Sequence, residues 1–386
     1  MQYHDYLLEA KEYPLVAIQK KVADLRQSGA EIINLTIGDP KDPTYSGANQ
    51  AAQQFLEDHP SSQYPSPYGS DAYRTAVSDW ARRHYSIELD PMKHILSCNG
   101  TKEAIYSIPE AFDWSRGQRI FIPSPSYPVY EASARIRKIE TMSLVMTEST
   151  GFLPDLEAVS AAQWQTCQLF WINSPQNPTT AIAPKSYFSR LLALAKKYDF
   201  LVCSDECYNE IYFGDRPTSC LDFPDSTHWL VFKSLSKRSH MTGYRMGALL
   251  TKNESLIKIL RKQRSPAGIG SPGFIQASGT RAWQDESHVQ AFRDAYLVKR
   301  NLLKTALEKK GFQIFGADAG FYFWFRHSAL PTSESITDYF LAGGIMITPG
   351  EVFGKSGEGY ARMVFCESMK LCEKVANKID SMLDLS

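Results

Sequence analysis

Several short apolar runs in this chain end in residues that can do chemistry. Three of them lead into an amide, a carboxylate and a lysine, namely Asn177, Asp205 and Lys237. Two others lead into a glycine-containing turn at Gly100 and an aromatic side chain, Tyr127. Ligands of open α/β sheets bind beyond the carboxyl ends of the strands. If the apolar runs are strands of one sheet, these five residues should meet at one edge of it.

This combination of side chains matches the needs of pyridoxal 5'-phosphate. The aldehyde of that cofactor needs a lysine amine, and its pyridinium nitrogen needs a buried carboxylate that keeps the ring protonated as an electron sink. Its phosphate is bound by backbone N–H groups at a helix N-terminus, by hydroxyls and by arginine. An aromatic side chain stacked on the ring adds roughly 1 kcal/mol. We therefore predict pyridoxal phosphate as the cofactor.

The motifs around these residues resemble one enzyme family. Ser-Leu-Ser-Lys at 234–237, followed by Gly-Tyr-Arg-Met-Gly at 243–247, resembles the lysine signature of class I/II aminotransferases of PLP fold type I. The other matching motifs follow in the family's order: Tyr64 with Gly69, Asn-Gly-Thr-Lys at 99–102, Pro-Ser-Tyr-Pro at 125–128, Asn-Pro-Thr at 177–179, Asp205 with Tyr208, and Arg362. The resemblance implies an aspartate aminotransferase-like fold and transamination.

The resemblance also implies a role for each motif residue. Lys237 would bind the cofactor covalently and, once displaced by substrate, move a proton at the substrate Cα. Asp205 would pair with the pyridinium nitrogen, and Asn177 and Tyr208 would donate hydrogen bonds to the ring oxygen. Lys237, Asp205 and Tyr208 are the predicted catalytic residues, and Tyr127 would stack on the ring. The residues predicted to surround the phosphate are Thr101, Lys102, Ser234, Ser236 and Arg245, and Gly100, which has no Cβ, would leave room for the phosphate to approach.

Substrate and subunit contacts follow from the same resemblance. Arg362 would bind the substrate α-carboxylate bidentately, with Gly38 and Asn177 beside it. A charge within an apolar run, as at Arg362, is costly unless it is paired, which agrees with this role. Tyr64 would reach the phosphate in a neighbouring subunit, so the resemblance implies a homodimer with shared active sites.

Structural interpretations of these residues remain open. Lys237 lies close to Lys233 and Arg238 in the sequence and could be a solvated lysine. Asp205 could cap a turn, and Tyr127 could be a core aromatic. For the whole protein, a lyase or decarboxylase of the same fold and a non-catalytic PLP-binding module are the alternatives to an aminotransferase.

Two sets of motifs point to different substrate branches. The runs at 204–213, 234–239 and 272–289 resemble bacterial succinyldiaminopimelate aminotransferases. That branch favours an N-acylated or dicarboxylic amino donor, with 2-oxoglutarate or glutamate as the partner substrate. Met-Thr-Gly-Tyr-Arg at 241–245 instead resembles the alanine, aspartate and LL-diaminopimelate branches, and an aromatic donor is a further alternative. Thr180 stands where the family usually has glycine.

The elements that must position the site alternate as in an α/β protein. Five apolar runs are nearly continuous, as expected of strands covered on both faces: 119–122, 168–172, 200–203, 229–232 and 246–250. The further predicted elements are helices at 11–29, from Ser70, at 186–197, 288–309 and 370–383, and strands at 32–37, 321–325 and 362–365. We expect a large αβα domain with a mostly parallel sheet at 46–275. A smaller α+β domain is predicted at 276–386, joined by an N-terminal segment at 1–45.

Composition and charge exclude several classes of function. The 386 residues contain 42 Lys and Arg against 42 Asp and Glu, which argues against a binder of nucleic acid or of a membrane surface. No apolar run reaches the roughly 18 residues of a membrane span. The N-terminus lacks a secretory signal, so we expect a cytoplasmic protein. Seven cysteines without a C-x-x-C pair predict free thiols, and we expect no metal site.

Overall fold

The computed structural model describes residues 1–9 and 12–385, and the strands of this part form three sheets. The strands are β1 (Ile33–Asn34), β2 (Ile95–Cys98), β3 (Arg119–Ser124), β4 (Thr141–Val145), β5 (Cys167–Asn173), β6 (Leu201–Asp205), β7 (Trp229–Ser234), β8 (Gly247–Leu250), β9 (Gln313–Phe315), β10 (Tyr322–Arg326), β11 (Ile345–Met346), β12 (Thr348–Pro349) and β13 (Ala361–Val364). The helices are α1 (Asp5–Glu9), α2 (Pro14–Gln27), α3 (Ser46–Asp58), α4 (Asp71–Tyr85), α5 (Thr101–Ser107), α6 (Val129–Ile136), α7 (Ala161–Trp164), α8 (Lys185–Tyr198), α9 (Leu235–Arg238), α10 (Glu254–Arg264), α11 (Gly273–Gln284), α12 (Ser287–Lys309), α13 (Ser333–Ala342) and α14 (Met369–Ser381).

The largest sheet has the strand order β2-β8-β7-β6-β5-β3-β4, and β8 runs antiparallel to both of its neighbours while the other pairs are parallel. Helices α4, α8 and α11 share one buried cluster with Phe170 and Val202 of the sheet. Helices α5, α6 and α10 share a second cluster with Trp171 and Cys203 on its other face. Coverage of both faces explains why these strands are continuous apolar runs. The predicted α/β class with a mostly parallel sheet is confirmed.

The end of this sheet determines where the site forms. Asn173 pairs with Asp205 in register at the carboxyl ends of β5 and β6, and Asp205 pairs with Phe232 of β7. Because these strands are parallel, the loops that follow them leave the sheet at the same edge. The polar residues of three sequence motifs are therefore brought to one place.

A second layer is built from the C-terminal part of the chain. Strands β12, β13, β10 and β9 form an antiparallel sheet, and its apolar residues pack in one cluster with residues of α12, α13 and α14. Strand β1 pairs in parallel with β11, so the N-terminal segment packs with this part. Helix α11 instead packs on α3 and α4. We therefore propose that the small domain begins after α11, and not at residue 276.

Most predicted elements are present with shifts of a few residues at their ends. Ser70 caps α4, and its Oγ accepts a hydrogen bond from the Tyr73 backbone N–H at 3.2 Å. The predicted helix at 11–29 corresponds to α2, and Lys11 lies outside the described residues. The predicted strand at 32–37 is reduced to β1. The Thr36 backbone N–H bonds the Asn34 side chain at 3.1 Å, and this local bond replaces a ladder bond.

The cysteines are free thiols, as predicted. All seven lie in the described part of the chain, and six of them are buried while Cys207 is half-buried. Over residues 1–9 and 12–385, no helix combines the length and the apolar character that a membrane crossing requires.

Candidate active site

A cavity of about 300 Å³ lies where β5, β6 and β7 end, and residues of the antiparallel sheet close its other side. Twelve of the fourteen predicted site residues line it: Gly38, Thr101, Lys102, Tyr127, Asn177, Asp205, Tyr208, Ser234, Ser236, Lys237, Arg245 and Arg362. Gly100 lies beneath Arg245, and Tyr64 lies outside the cavity with an exposed side chain. The cavity thus brings the predicted residues together, while their roles remain predictions.

Lys237 lies on the short helix α9, which follows β7 directly. Ser234 caps this helix through a hydrogen bond from the Ser236 backbone N–H to Ser234 Oγ at 3.1 Å. The Lys237 Nζ points into the cavity and donates to the Gly38 carbonyl oxygen. Burial lowers the pKa of Lys237, and the nearby Arg245 lowers it further. A larger fraction of neutral amine suits a lysine that must attack a carbonyl group.

Asp205 ends β6 and is only 5% exposed. Its Oδ2 accepts a hydrogen bond from the Tyr130 hydroxyl at 2.7 Å, and its Oδ1 accepts one from the Cys207 backbone N–H at 3.3 Å. Burial raises the pKa of Asp205. No lysine or arginine of the described chain forms an ion pair with it, although a buried carboxylate is costly without a cation. The site therefore fits a ligand that brings a cationic group, such as a pyridinium nitrogen.

Two cations near Gly100, Lys102 and Arg245, have no anionic partner among residues 1–9 and 12–385. Gly100 has a φ of +77°, and a Cβ at this position would overlap the Arg245 guanidinium. Burial lowers the pKa of Lys102, and the positive charge of Arg245 adds to this effect. Neither side chain forms an ion pair within the described chain. A phosphate bound here would neutralise both charges, so this end of the cavity fits the cofactor's phosphate.

Arg362, on the side of the cavity formed by the antiparallel sheet, carries a further positive charge without an ion-pair partner in the described chain. It is 2% exposed on β13, and its guanidinium lies 4.4 Å from the ring centroid of Tyr322 and 4.6 Å from that of Phe353. Its Nη1 donates to Asn177 Oδ1 at 2.7 Å and its Nη2 to the Thr36 carbonyl at 2.6 Å. Its Nε is buried and finds no acceptor among the described residues. A carboxylate would supply the missing negative charge.

Sequence reasoning gave no site role to seven residues that line this cavity, nor to Tyr130, which bonds Asp205; the seven are Ile37, Asp39, Ile105, Asn173, Cys207, Thr242 and Tyr322. Asn173 donates to the Asp205 carbonyl at 2.7 Å and accepts from the Asn177 backbone N–H at 2.6 Å, so it ties two loops together. Its position at the end of an apolar run could have marked it. Of the others, Tyr322 and Cys207 line the cavity beside Tyr208, and the Tyr130 hydroxyl donates to Asp205. Tyr322 and Tyr130 lie within apolar stretches, where nothing in the sequence marks a hydroxyl as functional.

Thr180 adopts a backbone conformation that favours glycine. Its φ is +59° although it is β-branched and buried. Its Oγ1 accepts a hydrogen bond from the backbone N–H of Ala317, a residue between β9 and β10, at 2.7 Å. The departure from the usual glycine therefore links the Asn177 loop to the antiparallel layer.

Comparison with known proteins places the fold and the chemistry in a known context. A sequence model described as aminotransferase class I and II matches residues 30–379. LL-diaminopimelate aminotransferases are similar over nearly their whole length: 33% identity with that of Oleidesulfovibrio alaskensis, covering 98% of each chain, and 32% with that of Aquifex aeolicus, covering 99% of each. These relatives carry the name of a branch that was an alternative on sequence grounds. They lend no support to the succinyldiaminopimelate assignment.

Solved structures agree with this comparison. Apo-BacF of Bacillus subtilis superposes with a TM-score of 0.91 at 24% identity, covering 100% of this chain and 99% of that one. The aspartate aminotransferase of Thermus thermophilus with maleate superposes with a TM-score of 0.90 at 25% identity, covering 99% of this chain and 100% of the other. The predicted aspartate aminotransferase-like fold is confirmed.

Proposed function

The chain belongs to the class I and II aminotransferase family, and from this premise we propose that its cavity binds pyridoxal 5'-phosphate and that its amino donor is LL-diaminopimelate. The acceptor is a 2-oxo acid, for which 2-oxoglutarate is our candidate. The identity with LL-diaminopimelate aminotransferases over nearly the whole chain supports this donor. The succinylated donor favoured by the sequence motifs has no support from these relatives.

The observation that carries the proposal is a set of charged side chains in one cavity, two of them buried, that form no ion pair within the described chain. Among the described residues, no cation pairs with the buried Asp205 and no anion pairs with the buried Arg362. Lys102 and Arg245, which are more exposed, also have no anionic partner in that part of the chain. Pyridoxal phosphate with an amino acid supplies a pyridinium, a carboxylate and a phosphate. Each uncompensated charge of the cavity therefore has one complementary group on the ligands.

The cofactor and the residues of the chain would each supply a different part of the chemistry. When bound, pyridoxal phosphate supplies an electron sink that stabilises negative charge at the substrate Cα. Lys237 would hold the cofactor and, when the substrate amine takes its place, move the proton from the substrate Cα to the C4′ carbon of the cofactor. Its pKa, lowered by burial, makes the neutral amine available for this transfer. Asp205 would keep the ring nitrogen protonated.

Arg362 and Asn177 would orient the substrate. The guanidinium is already fixed by its bond to Asn177 Oδ1 and by the two aromatic rings around it. A fixed fork fits a carboxylate bidentately, so the Cα–H bond would take a defined direction in the cavity. The aromatic rings would also exclude water from the ion pair between Arg362 and the substrate carboxylate, and this would strengthen the attraction between the two charges.

We also propose that the active unit is a homodimer. Tyr64 is fully exposed and makes no side-chain hydrogen bond within the described chain, so its own subunit gives it no role. A second copy that receives Tyr64 at its phosphate site would account for an exposed aromatic residue. Light scattering should give twice the mass of the chain, and Tyr64→Ala should weaken cofactor retention. A monomer that holds cofactor tightly would contradict this part of the proposal.

The donor is tested by a half-reaction on the holoenzyme. LL-diaminopimelate should convert the bound cofactor to its amine form, seen as loss of the absorption band of the cofactor attached to Lys237. Succinyldiaminopimelate, aspartate, alanine and an aromatic amino acid should act more slowly. Faster conversion by aspartate would favour an aspartate aminotransferase instead. A bound cofactor whose spectrum is unchanged by every donor would contradict the proposal.

A lysine pair provides the control. Lys237→Ala should show neither the absorption band nor the half-reaction. Lys258→Ala, which removes an exposed lysine of α10, should retain both. Release of carbon dioxide from the donor without formation of the amine form would favour the decarboxylase alternative.

A further inference from the structure

Tyr322 is a second tyrosine hydroxyl in the cavity, beside Tyr208. It lies at the start of β10, is 2% exposed and lines the cavity. Its hydroxyl forms a hydrogen bond with the Tyr208 hydroxyl, and the two rings pack edge to face with centroids 5.3 Å apart. Neither the sequence motifs nor the comparisons assign Tyr322 a role.

The same residue also contacts the substrate side of the cavity. The Arg362 guanidinium lies 4.4 Å from the centroid of its ring. A Cβ at Gly38 would overlap the Tyr322 hydroxyl, so this hydroxyl occupies the space beside Gly38. Tyr322 therefore touches the proposed carboxylate fork with its ring and Tyr208 with its hydroxyl.

The direction of the hydrogen bond between the two hydroxyls follows from their protons. Each phenol has one O–H, and either oxygen could accept in the bond between them. If Tyr208 donates its proton to the cofactor ring oxygen, as our proposed function requires, its own oxygen is left to accept. Tyr322 must then be the donor in this bond. A hydroxyl that accepts a hydrogen bond becomes a stronger donor in the next one.

We propose that Tyr322 is a positioning residue that acts through Tyr208: its hydroxyl donates to the Tyr208 oxygen and directs the Tyr208 proton to the ring oxygen of the cofactor. This inference rests on the proposed function, because it needs a cofactor in the cavity. Tyr322 thereby strengthens the hydrogen bond that stabilises negative charge on the ring oxygen.

The groups that face this pair leave both hydroxyls protonated. They are Arg362 on β13, Cys366 just after it, and Cys207 in the loop after β6. Burial raises the pKa of Tyr322 to about 12, although Arg362 opposes that rise. Burial also raises the pKa of Tyr208 well above its ordinary value. The two protons are therefore in place over the whole range in which an aminotransferase is assayed.

The test is a spectrophotometric pH titration of the holoenzyme. A hydrogen bond donated to the ring oxygen favours the deprotonated form of the cofactor attached to Lys237 and lowers its pKa. Tyr322→Phe weakens that bond and should raise this pKa by about half a unit or more, with cofactor still bound. A titration identical to that of the wild type would overturn the inference. Tyr322→Phe keeps the ring against Arg362, so loss of packing does not explain a shift.

Two further variants separate this role from a structural one. Tyr296→Phe also removes a buried hydroxyl, which bonds His240 Nε2 at 2.8 Å, but Tyr296 does not line the cavity. It should leave the titration unchanged. In a Tyr208→Phe background, Tyr322→Phe should cause no further shift in the pKa of the lysine-bound cofactor. The reason is that the hydroxyl through which Tyr322 acts is then absent. Equal shifts with and without Tyr208 would show that Tyr322 acts independently and would contradict the proposal.

Failure of this inference can be told from failure of the proposed function. A wild-type protein that shows no band of lysine-bound cofactor at any pH contradicts the proposed function and the role of Tyr322 together. A normal band in both proteins with an unmoved titration in Tyr322→Phe contradicts only the role of Tyr322.

Discussion

Arg362 is a buried cation that has no anion beside it in the part of the chain that the structure describes. Its neighbours are an amide oxygen of Asn177, a backbone carbonyl of Thr36 and two aromatic rings, and all of these are neutral. Such an arrangement is unfavourable in the free protein and becomes favourable when a carboxylate binds. Relief of this unfavourable burial would therefore contribute to the free energy of substrate binding.

Replacing this guanidinium by an ammonium tests its bidentate geometry. Arg362→Lys keeps the charge but loses one hydrogen bond to the carboxylate, a loss of about 1.5–3 kcal/mol. We expect KM for the amino donor to rise roughly tenfold to a hundredfold, with a smaller change in kcat. The exposed Arg326 of β10 serves as a control, since Arg326→Lys should leave both constants unchanged. An unchanged KM in Arg362→Lys would rule out the fork.

The burial of Asp205 predicts that the stability of the cofactor-free protein depends on pH. Burial raises the pKa of its carboxyl group, so the folded protein binds this proton more tightly than the unfolded chain does. The stability contributed by this group is present at low pH and is lost as the pH rises through the folded-state pKa. The stability of Asp205→Asn relative to wild type should therefore increase from the ordinary carboxyl pKa of about 4 towards neutral pH.

Denaturant unfolding of both proteins without cofactor, at several pH values, measures this difference. Asp199→Asn, at an exposed site after α8, should show no such trend. With cofactor bound, the trend for Asp205 should vanish or reverse, since a pyridinium then favours the charged carboxylate. A difference that is constant with pH would mean that the burial of Asp205 has no electrostatic cost.

At the scale of elements, the sequence predicts those that carry a strong local signal. Strands β5, β6 and β7 are continuous apolar runs, and α4 begins at a cap residue, Ser70, so all four were predictable. Strand β4 lies at the edge of the sheet, and its mixture of exposed and buried residues gives no apolar run. The domain boundary that we propose places α11 in the large domain because this helix packs on α3 and α4, and no local pattern in the sequence reveals that packing.

Thr180 shows a conflict between local preference and tertiary contact. A left-handed conformation costs a residue with a Cβ about 1–2 kcal/mol. The hydrogen bond from the Ala317 N–H compensates for it, and this partner is far away in the sequence. The glycine that the family usually has would relieve the strain but could not make this bond.

Three substitutions separate strain from hydrogen bonding at this position. Thr180→Ser retains the hydroxyl and should unfold at nearly the wild-type denaturant concentration. Thr180→Ala keeps the strain and leaves the buried Ala317 N–H without an acceptor, so it should lose about 1–3 kcal/mol. Thr180→Gly loses the same bond but relieves the strain, and should be about 1 kcal/mol more stable than Thr180→Ala. Equal stability of the glycine and alanine variants would mean that φ is not strained.

At the scale of the whole molecule, the equal numbers of acidic and basic residues agree with small ligands. The 42 positive and 42 negative side chains leave no net charge for a polyanionic partner. Within the cavity, however, the charges are separated: Lys102, Arg245 and Arg362 are cationic and Asp205 is anionic. A zwitterionic ligand with a phosphate matches this arrangement.

The sequence predicted the composition of the site better than its organisation. Lys237, Asp205 and Arg362 come from motifs of fixed local spacing, so each could be located without a structure. The contacts between Tyr322 and Tyr208, and between Arg362 and Asn177, depend on how segments far apart in the sequence meet. No local pattern encodes such meetings, since they result from the packing of one sheet against another.

The central claim is that Lys237 binds the cofactor in this cavity, and reduction of the holoenzyme with borohydride tests it most directly. Reduction makes the link between cofactor and lysine permanent, so peptide mapping by mass spectrometry identifies the residue. We predict a single pyridoxyl group on Lys237, with none on the neighbouring Lys233 or on Lys102. A pyridoxyl group on another lysine, or none in a protein that has bound the cofactor, would contradict the account.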